Sequence, residues 1–331
     1  MAVTATFEAA TTGGEKRPTP KWRPLENERW LAALLLLPTM VLLGLFIAYP
    51  FVKGILLSVS SARVGVPGEY VGLANFERLL SDPIFSMVVR NTVWYTLITT
   101  IFKLALGLWL ALLLNRNFRF KAFTRAFILL PFIIPTVLST FAWKWMFDPT
   151  FSVLNWFILQ MCWAKVWVMG LFGIEPAKTC FAAAQFNWLG DGDLAMWAII
   201  VVNIWRGIPF FAISLLAGLQ TISPDLNEAA AIDGAKPWQR FIHITWPLLL
   251  PVTMVVVLFS VIQTFADFQI VYVMTGGGPA NATHLFATYA YQLGVGTGLL
   301  SQGAAISLAM FPILFAIVIV QLLYIRRVET R

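Results

Sequence analysis

The sequence predicts an all-α, polytopic membrane protein with six transmembrane helices. Hydrophobic residues make up 59% of the 331 positions and charged residues only 12%, and the mean hydropathy is +0.78, which excludes an ordinary soluble globular chain. The apolar residues form separate runs of about twenty residues, long enough to cross about 30 Å of hydrocarbon as helices. The net charge of +7 comes mainly from short segments beside these runs, so membrane orientation explains it better than nucleic-acid binding does.

The chain begins with residues 1–29, which contain too little apolar surface to fold alone and are predicted to form a disordered cytosolic tail. No apolar run with a small-residue cleavage site directly follows a positively charged start, so a removable signal peptide is not expected. The first predicted span is 30–52. Residues 53–91, with a turn at Gly65–Gly68 and an amphipathic helix at 75–80, are predicted to lie on the outer surface.

The second and third predicted spans are 92–114 and 126–147. Because cytosolic loops are enriched in lysine and arginine, the connector between these spans is predicted to face the cytosol. This connector contains no acidic residue, and its basic residues are Arg116, Arg119, Lys121 and Arg125. Pro131 and Pro135 fall inside the third span, where neighbouring helices or water must satisfy the carbonyl groups that they free.

Residues 148–193 admit two interpretations. The stretch 151–174 is apolar enough to cross the membrane, yet it contains Asn155, Gln160 and Lys165. A span here would also move the next polar connector to the opposite side of the membrane from the basic one. We therefore interpret 148–193 as an external insertion, with its helix outside the membrane or at the interface.

The insertion contains both cysteines of the chain, Cys162 and Cys180. An oxidising periplasm would permit a disulfide that closes the insertion, and two free thiols are the preferred alternative. The two histidines, His243 and His284, are predicted to lie on different sides of the membrane and therefore form no common metal site.

The last three predicted spans are 194–219, 246–274 and 300–324. Six spans place both termini in the cytosol, and the cytosolic segments then hold most of the lysine and arginine residues. The connector between the fourth and fifth spans, 219–246, is the longest polar segment that is placed in the cytosol after the tail.

The segment 219–246 has the signals of two short helices. Ser223-Pro224-Asp225 provides a capping hydroxyl, a proline at the first helical position and an acid in the first turn. Gly234 is predicted to stop this helix, and Lys236-Pro237 to start a second one that ends before Pro247. A helix, a glycine turn and a second helix suit docking into a groove on another protein.

This segment resembles the EAA loop of bacterial ABC-importer permeases, whose pattern is Glu-Ala-Ala, three residues, Gly, nine residues and then Ile-x-Leu-Pro. Glu228-Ala229-Ala230, Gly234, Ile244 and Pro247 stand at that spacing, with Trp246 in place of the usual leucine. The match identifies a candidate coupling loop between the membrane part and an ATPase.

Other parts of the chain resemble the carbohydrate-importer branch of this family. The similar stretches are Leu216–Pro224, Asp233-Gly234-Ala235 and Thr275–Pro279. The Gly-Gly-Gly-Pro sequence in the last of them is similar to the maltose-type first permease subunit. The likeness extends over residues 30–328.

The resemblance implies an ABC type I importer fold in a bacterial inner membrane. The implied partners are a second permease subunit in a heterodimer, two copies of an ABC ATPase and a periplasmic substrate-binding protein. ATP and Mg²⁺ would bind to the partner ATPase, because this chain has no Gly-x-x-x-x-Gly-Lys-Ser/Thr loop. No catalytic residue, cofactor or metal site is predicted within the chain. The residues that the resemblance assigns to ATPase coupling are Glu228, Ala229, Ala230, Asp233, Gly234 and Pro247.

Four ionisable residues fall inside predicted spans: Lys103, Lys144, Arg206 and Asp267. A charge at the middle of a membrane costs at least about 2.5 kcal/mol on insertion scales, so these side chains should face protein or water. The two lysines are predicted to snorkel towards the surface. Arg206 and Asp267 are deeper and are predicted either to pair with each other or to contact the substrate.

In the resembled family, the spans beside the EAA loop and the last span line the sugar path of the first permease subunit. Polar side chains there would bind sugar hydroxyls and aromatic rings would stack on sugar faces. The predicted path residues are Asn203, Arg206, Gln263, Asp267, Phe268 and Gln302. Each of them alone is also typical of helix packing. An external turn near the binding-protein contact is predicted at Gly276, Gly277, Gly278 and Pro279.

The function implied by the resemblance is that of a permease subunit in an ATP-driven importer for a sugar or sugar derivative. Lys144 and Arg206 leave open an anionic substrate, such as a sulfonated sugar or a glycerol phosphate diester. The alternative is an ion-coupled secondary transporter that acts without an ATPase, with Asp267 and Arg206 as its coupling pair. That alternative explains the charges inside the spans but not the spacing of the EAA loop.

Overall fold

The computed structural model describes residues 28–171 and 186–329. These residues form helices and contain no β-strand, apart from two isolated β-bridges near the predicted turn at Gly65. Three π-helical turns, at Gly44–Ala48, Phe241–Thr245 and Gln292–Gly296, adjoin the α-helices. The described α-helices are α1 (Glu28–Leu43), α2 (Tyr49–Ser58), α3 (Ala74–Ser81), α4 (Pro83–Asn115), α5 (Lys121–Ile133), α6 (Thr136–Met146), α7 (Val153–Leu171), α8 (Gly192–Gln220), α9 (Pro224–Ile232), α10 (Pro237–Arg240), α11 (Trp246–Phe265), α12 (Gln269–Met274), α13 (Phe286–Tyr291) and α14 (Leu300–Glu329).

The chain divides into residues 1–53 and 54–331. In the first part, α1 starts at Glu28 and contains Pro38 without ending there. The predicted tail lies outside the described residues except for its last two, which belong to α1. Its disorder therefore stays a prediction.

Among the described residues, five helical stretches are long and apolar enough to cross a membrane, and the bent pair of α5 and α6, taken as one span, makes a sixth. The predicted fold class, an all-α membrane protein with six spans, is confirmed. The predicted amphipathic helix near residue 75 is α3, which precedes α4. The five unbroken spans are Arg29–Ser58, Pro83–Asn115, Gly192–Gln220, Pro237–Phe265 and Leu300–Tyr324.

The third predicted span, 126–147, is not one helix. α5 and α6 meet at Ile134 and Pro135 with a bend of 89°. Ile134 is extended, with φ −64° and ψ 132°, because the ring of Pro135 disfavours the helical conformation in the residue before it. The break leaves α6 with an amino end of its own, at Thr136.

The fifth predicted span, 246–274, differs at both ends. α11 ends at Phe265, and α12 starts separately at Gln269. At the other end, α10, a π-helical turn and α11 form one apolar helix from Pro237 to Phe265. The prediction that the second coupling helix ends before Pro247 is therefore wrong, because the wider π-helical turn just before Pro247 accommodates its ring.

The helices α4 and α8 pack side by side and organise the core. They bury one apolar cluster that contains Tyr95 and Ile199, and another that contains Phe211. Between the two clusters each helix carries a buried polar side chain, Lys103 on α4 and Asn203 on α8. A polar layer therefore interrupts the apolar core about half-way along both helices.

A third apolar cluster holds the segment after α12 against the start of α4. Phe286 lies in this cluster, with the ring of Phe85 edge-on at 5.9 Å and the ring of Phe265 stacked at 5.6 Å. The side-chain amide of Asn91 also donates to the carbonyl of Ala282 at 2.7 Å. These contacts fix the loop that contains the predicted external turn.

The helix α7 lies within the predicted insertion, of which residues 172–185 are outside the described part. The Asn155 side chain donates to the carbonyl of Phe186 at 2.9 Å and accepts from the Trp188 indole at 2.7 Å. Asn155, an unusual residue for a lipid-facing span, thus ties α7 to the segment before α8. The external position of the insertion stays a prediction.

The prediction for the cysteines needs a correction. Cys162, in α7, is disulfide-bonded, whereas two free thiols were the preferred interpretation. That interpretation is therefore wrong for Cys162. The bond agrees with the other alternative, a disulfide that an oxidising periplasm would permit. Cys180 lies outside the described residues.

Candidate functional site

A cavity of about 510 Å³ lies between α4, α8 and α11, beside the break between α5 and α6. Its wall combines charged, amide and hydroxyl side chains with phenylalanine rings, a composition typical of small-molecule sites. Polar lining residues include Lys103, Thr136, Asn203, Arg206, Gln263 and Asp267. Aromatic ones include Phe132, Phe210, Phe259 and Phe268.

Five of the six predicted path residues line this one cavity: Asn203, Arg206, Gln263, Asp267 and Phe268. The sixth, Gln302, is in the first turn of α14 and is not among the lining residues. Its backbone N–H donates to the carbonyl of Leu299 at 3.0 Å. The structure therefore brings together the candidates from α8 and from the end of α11, and leaves out the candidate from the last span. Their contact with a substrate stays a prediction.

Lys103 is buried, with 3% of its surface exposed, and does not snorkel. Its ammonium group donates to Oδ1 of Asn203 at 2.9 Å and to the hydroxyl of Thr264 at 2.7 Å, which joins α4, α8 and α11. Gly207 makes room for the lysine stem, since a Cβ there would lie 2.2 Å from Cδ of Lys103. The snorkelling prediction is wrong for Lys103, because protein oxygens replace the water that the charge requires.

Lys144 also has a protein partner. Its ammonium group donates to the carbonyl of Val273 at 3.0 Å, near the carboxyl end of α12. A cation is favourable at that end of a helix, where carbonyl groups lack partners within the helix. Lys144 thus ties α6 to α12 and does not line the cavity.

Asp267 lies in the interruption between α11 and α12. Its Oδ2 accepts from the hydroxyl of Tyr95 at 2.7 Å and from the amide of Asn203 at 2.9 Å. Its Oδ1 accepts from the backbone N–H of Ile270 at 3.4 Å. The predicted pair with Arg206 is not among the contacts of the described residues, because neutral donors from α4 and α8 occupy the carboxylate instead.

The Arg206 side chain lines the cavity without a hydrogen-bond partner in the described part of the chain. Its Nε atom is buried. A buried N–H group without an acceptor is unfavourable. Arg206 therefore brings an incompletely satisfied guanidinium group to the wall of the cavity.

Phenylalanine rings form the apolar part of the wall. The ring of Phe210 stacks on Phe132 with centroids 6.1 Å apart and lies 5.2 Å from Phe259. Phe268, at the α12 side, stacks on Tyr272 at 4.9 Å. Rings of this kind cover the apolar face of a sugar, while nearby amide and charged groups bind its hydroxyls.

Sequence reasoning missed several residues of this site. Lys103 was recognised as a charge inside a span, but its buried partners were not. Thr264 directly follows Gln263, a predicted path residue, and this neighbourhood is the one local signal that could have indicated Thr264. Phe132 and Thr136 reach the cavity only because the third span bends between them.

The coupling segment begins where the sequence predicts. The Ser223 hydroxyl accepts from the backbone N–H of Asp225 at 3.3 Å and caps α9. Asp233 is exposed at the end of α9, and Gly234 follows in the left-handed conformation with φ +80°. The N–H groups of Gly234 and Ala235 bond back into the last turn of α9 as a Schellman motif. Glycine suits this position because other residues adopt that conformation at a cost.

The coupling segment combines a hydrogen-bonded backbone with a partly apolar surface. The carbonyl groups of Ala229 and Ala230 accept hydrogen bonds from the turn. Glu228 is exposed and lines a cleft beside the basic connector. Ile232 and Trp238 are 87% and 69% exposed. An acid and two large apolar side chains on one short segment are typical of a docking surface.

The predicted external turn is ordered and follows α12. Gly276 and Gly277 have φ values of +60° and +93°, and the peptide bond between Gly278 and Pro279 is cis. The Thr283 hydroxyl donates to the carbonyl of Gly278 at 2.6 Å. The contact of this turn with a binding protein stays a prediction.

Most of this chain matches one protein family. Residues 103–330 match the model described as "Binding-protein-dependent transport system inner membrane component". The chain belongs to this family of membrane permeases. The family assignment does not favour the alternative of a secondary transporter that acts alone.

Two curated relatives cover nearly the whole permease. This permease is 33% identical over 297 residues to the trehalose/maltose transport system permease protein MalF of Thermococcus litoralis. The match covers 89% of this chain and 94% of that protein. The permease is 35% identical over 316 residues to the sulfoquinovosyl glycerol transport system permease protein SmoG of Agrobacterium fabrum, covering 94% and 96%. The predicted resemblance to carbohydrate-importer permeases is confirmed.

Solved structures agree on the fold. The permease superposes on a chain from the crystal structure of a bacterial ABC transporter involved in the import of the acidic polysaccharide alginate, with a TM-score of 0.74 and 21% identity. That match covers 92% of this chain and 98% of the other. A second structure, of the alginate transporter in complex with alginate pentasaccharide-bound periplasmic protein, gives a TM-score of 0.73. The predicted ABC-importer transmembrane fold is confirmed.

Proposed function

We propose that this permease translocates a sugar or sugar derivative as one subunit of an ATP-driven importer. The other subunits are a second permease chain, two copies of an ATPase that binds ATP and Mg²⁺, and a periplasmic substrate-binding protein. The names of the relatives support a sugar, trehalose or maltose for one and sulfoquinovosyl glycerol for the other. The alginate transporter with its periplasmic protein supports the binding-protein partner.

The main support is one continuous helix that joins the coupling segment to the cavity. α10, the π-helical turn and α11 run from Pro237 to Phe265, a length of about 43 Å at 1.5 Å per residue. Gln263 and Thr264, near its far end, line the cavity. An ATPase that displaces the coupling end of this helix therefore moves the wall of the cavity.

In the proposed cycle, the loaded binding protein docks outside and ATP binding closes the two ATPase subunits. The coupling segment transmits that closure, and the cavity opens outward. Hydrolysis of ATP then resets it inward. Glu228 offers its carboxylate to a cation of the ATPase, and the exposed Ile232 and Trp238 fill apolar pockets on it.

The cavity suits a carbohydrate because it combines aromatic rings with amide and carboxylate groups. An anionic derivative, such as a sulfonated sugar or a glycerol phosphate diester, is compatible with Lys103 and Arg206 in the wall. Lys144 gives no support to an anionic substrate, because it bonds to Val273 away from the cavity.

The proposed location is the bacterial inner membrane, with both termini in the cytoplasm. The basic connector and the coupling segment then lie on the cytosolic side, and the turn at Gly276–Pro279 lies on the periplasmic side. The secondary transporter is not favoured, because it leaves the coupling segment without a role.

Co-purification with the ATPase, followed by ligand-stimulated ATP hydrolysis in lipid, tests this function. Glu228→Ala and Gly234→Val should each weaken ATPase binding about five- to thirtyfold, since each removes one feature of the docking surface. Glu77→Ala is the matched control, because Glu77 is an exposed acid on α3, far along the chain from the coupling segment. Normal ATPase binding and uptake in both coupling variants, or uptake that needs no ATP, would contradict the proposal.

A further inference from the structure

The wall of the cavity contains two basic side chains and one acidic one. Lys103 and Arg206 line it, and Asp267 is the one acid among the described residues of its wall. The Asp267 carboxylate is engaged by the Tyr95 hydroxyl at 2.7 Å and the Asn203 amide at 2.9 Å. Arg206 has no hydrogen bond to a described residue. The wall therefore offers more basic than acidic side chains to a ligand.

The unused hydrogen-bonding capacity of these cations consists of donors. An ammonium group has three donors, and Lys103 uses two of them, towards Asn203 at 2.9 Å and Thr264 at 2.7 Å. A guanidinium group has five donors, and within the described residues none of those on Arg206 meets an acceptor. Its Nε is buried, so a ligand in the cavity would bond to the two Nη nitrogens.

The broken third span adds positive potential at the same place. α6 starts at Thr136, which lines the cavity, and no side chain caps its amino end. The first N–H groups of a helix have no partner within it, and half-helices that begin inside a membrane favour anionic groups at that end. The amino end of α6 therefore acts with the same sign as Lys103 and Arg206.

On the basis of the proposed function, we propose that the cavity binds a substrate with one anionic, oxygen-rich group, held between Arg206 and Lys103. A sulfonate, a carboxylate and a phosphate share this chemistry. The terminal nitrogens of Arg206 bind two oxygens of the group, and the third ammonium hydrogen of Lys103 binds another. The rings of Phe210 and Phe259 cover the neutral sugar ring. The negative charge of the substrate compensates the charge of Arg206.

The charge of the cavity can be measured without knowing the substrate. A Gln263→Cys variant in the whole assembly places a thiol at an exposed position of the wall. Its reaction with two methanethiosulfonate reagents, one carrying a sulfonate and one a trimethylammonium group, is followed by peptide mass spectrometry. Arg206→Gln should lower the ratio of the anionic to the cationic reaction rate about tenfold. Arg206→Lys, which keeps the charge, should retain the ratio.

Arg90→Gln is the matched control for the labelling experiment, because Arg90 is an exposed arginine of α4 that does not line this cavity. It should leave the ratio within about twofold. Arg206→Met provides a second removal of the charge if the glutamine variant does not assemble. An unchanged ratio without the Arg206 charge would overturn the proposal.

Substrate preference is tested with two probes, sulfoquinovosyl glycerol and glucosyl glycerol, which carry a sulfonate and a hydroxyl at the same sugar carbon. ATP hydrolysis is measured for the reconstituted importer with its binding protein. Arg206→Gln should reduce stimulation by the sulfonated probe about tenfold, and stimulation by the neutral probe less than about twofold.

Equal losses with both probes, or stimulation of the wild type by the neutral probe alone, would overturn the anionic substrate class. Failure of both probes together with the absence of a co-purifying ATPase would instead contradict the proposed function. In that case the labelling ratio still decides whether the cavity attracts anions.

Discussion

Lys103 occupies the middle of a membrane helix because protein oxygens take the place of its water. A lysine at the bilayer centre costs at least about 2.5 kcal/mol on insertion scales, and each hydrogen bond from a charged group contributes about 1.5–3 kcal/mol. The bonds from Lys103 to Asn203 and Thr264 are thus large enough to offset its burial. Gly207 belongs to the same arrangement, since it leaves space for the lysine stem.

We expect Gly207→Ala to destabilise the permease by about 1–3 kcal/mol. The new Cβ would lie 2.2 Å from Cδ of Lys103, and the ammonium group cannot move away without losing a bond. Thermal unfolding of the purified chain in detergent measures the effect. Gly54→Ala is the matched control, because nothing lies within 4 Å of its added Cβ and alanine favours a helix. Equal stability of the two variants would contradict this role of Gly207.

Two breaks between helices supply much of the site. The bend at Pro135 brings the amino end of α6 to the cavity, and the gap between α11 and α12 brings Asp267 there. Backbone groups that leave a helix inside a membrane need other partners, so such breaks occur beside protein or water. The two breaks face the same cavity, which explains why polar groups gather at that level.

The segment that follows α12 is packed against α4 around His284. This side chain is 1% exposed, its ring lies beside Gly277, and its Nδ1 is 3.2 Å from the Thr288 hydroxyl. Burial lowers the pKa of His284 below its ordinary value of about 6.5. The hydrogen bond with Gln292 raises this pKa, but by less than burial lowers it.

We expect the permease to lose stability as the pH falls from about 7 to 5. The unfolded chain takes up a proton at His284 near pH 6.5, whereas the folded chain does so at a lower pH. In that window the unfolded state holds more protons, so stability rises with pH. Thermal unfolding at about pH 5.5 and 7.5 measures the change. His284→Gln should weaken the dependence, while His243→Gln, at an exposed histidine, should keep it. An unaltered dependence in His284→Gln would rule out this origin.

At the scale of the whole molecule, six spans require both termini to lie on one side of the membrane. We expect a fluorescent protein fused after Arg331 to fluoresce and alkaline phosphatase fused there to be inactive, because both report the cytosol. Phosphatase fused after Gly68, in the predicted external segment, is the control and should be active. Active phosphatase after Arg331 would mean an odd number of spans, with residues 148–193 as the additional one.

The sequence by itself determined where most of the helical spans lie, the start of the coupling segment and five of the residues that line the cavity. These features depend on local properties. A run of apolar residues of membrane length forms a helix wherever it occurs, and Ser223, Pro224 and Gly234 direct the backbone of their own neighbourhood. Polar residues inside apolar runs also mark positions that must face protein or water.

Only the tertiary structure decided which of these polar groups are satisfied. Lys103 bonds to Asn203 and Thr264, which are 100 and 161 positions away, and Tyr95 bonds to Asp267, 172 positions away. Sequence reasoning left open a pair of Asp267 with Arg206, because opposite charges attract, or a contact of each with the substrate. The rotation and depth of packed helices select the actual partner, and neither is specified by residue type. For this reason the unpartnered Nε of Arg206 became visible only after the helices were placed together.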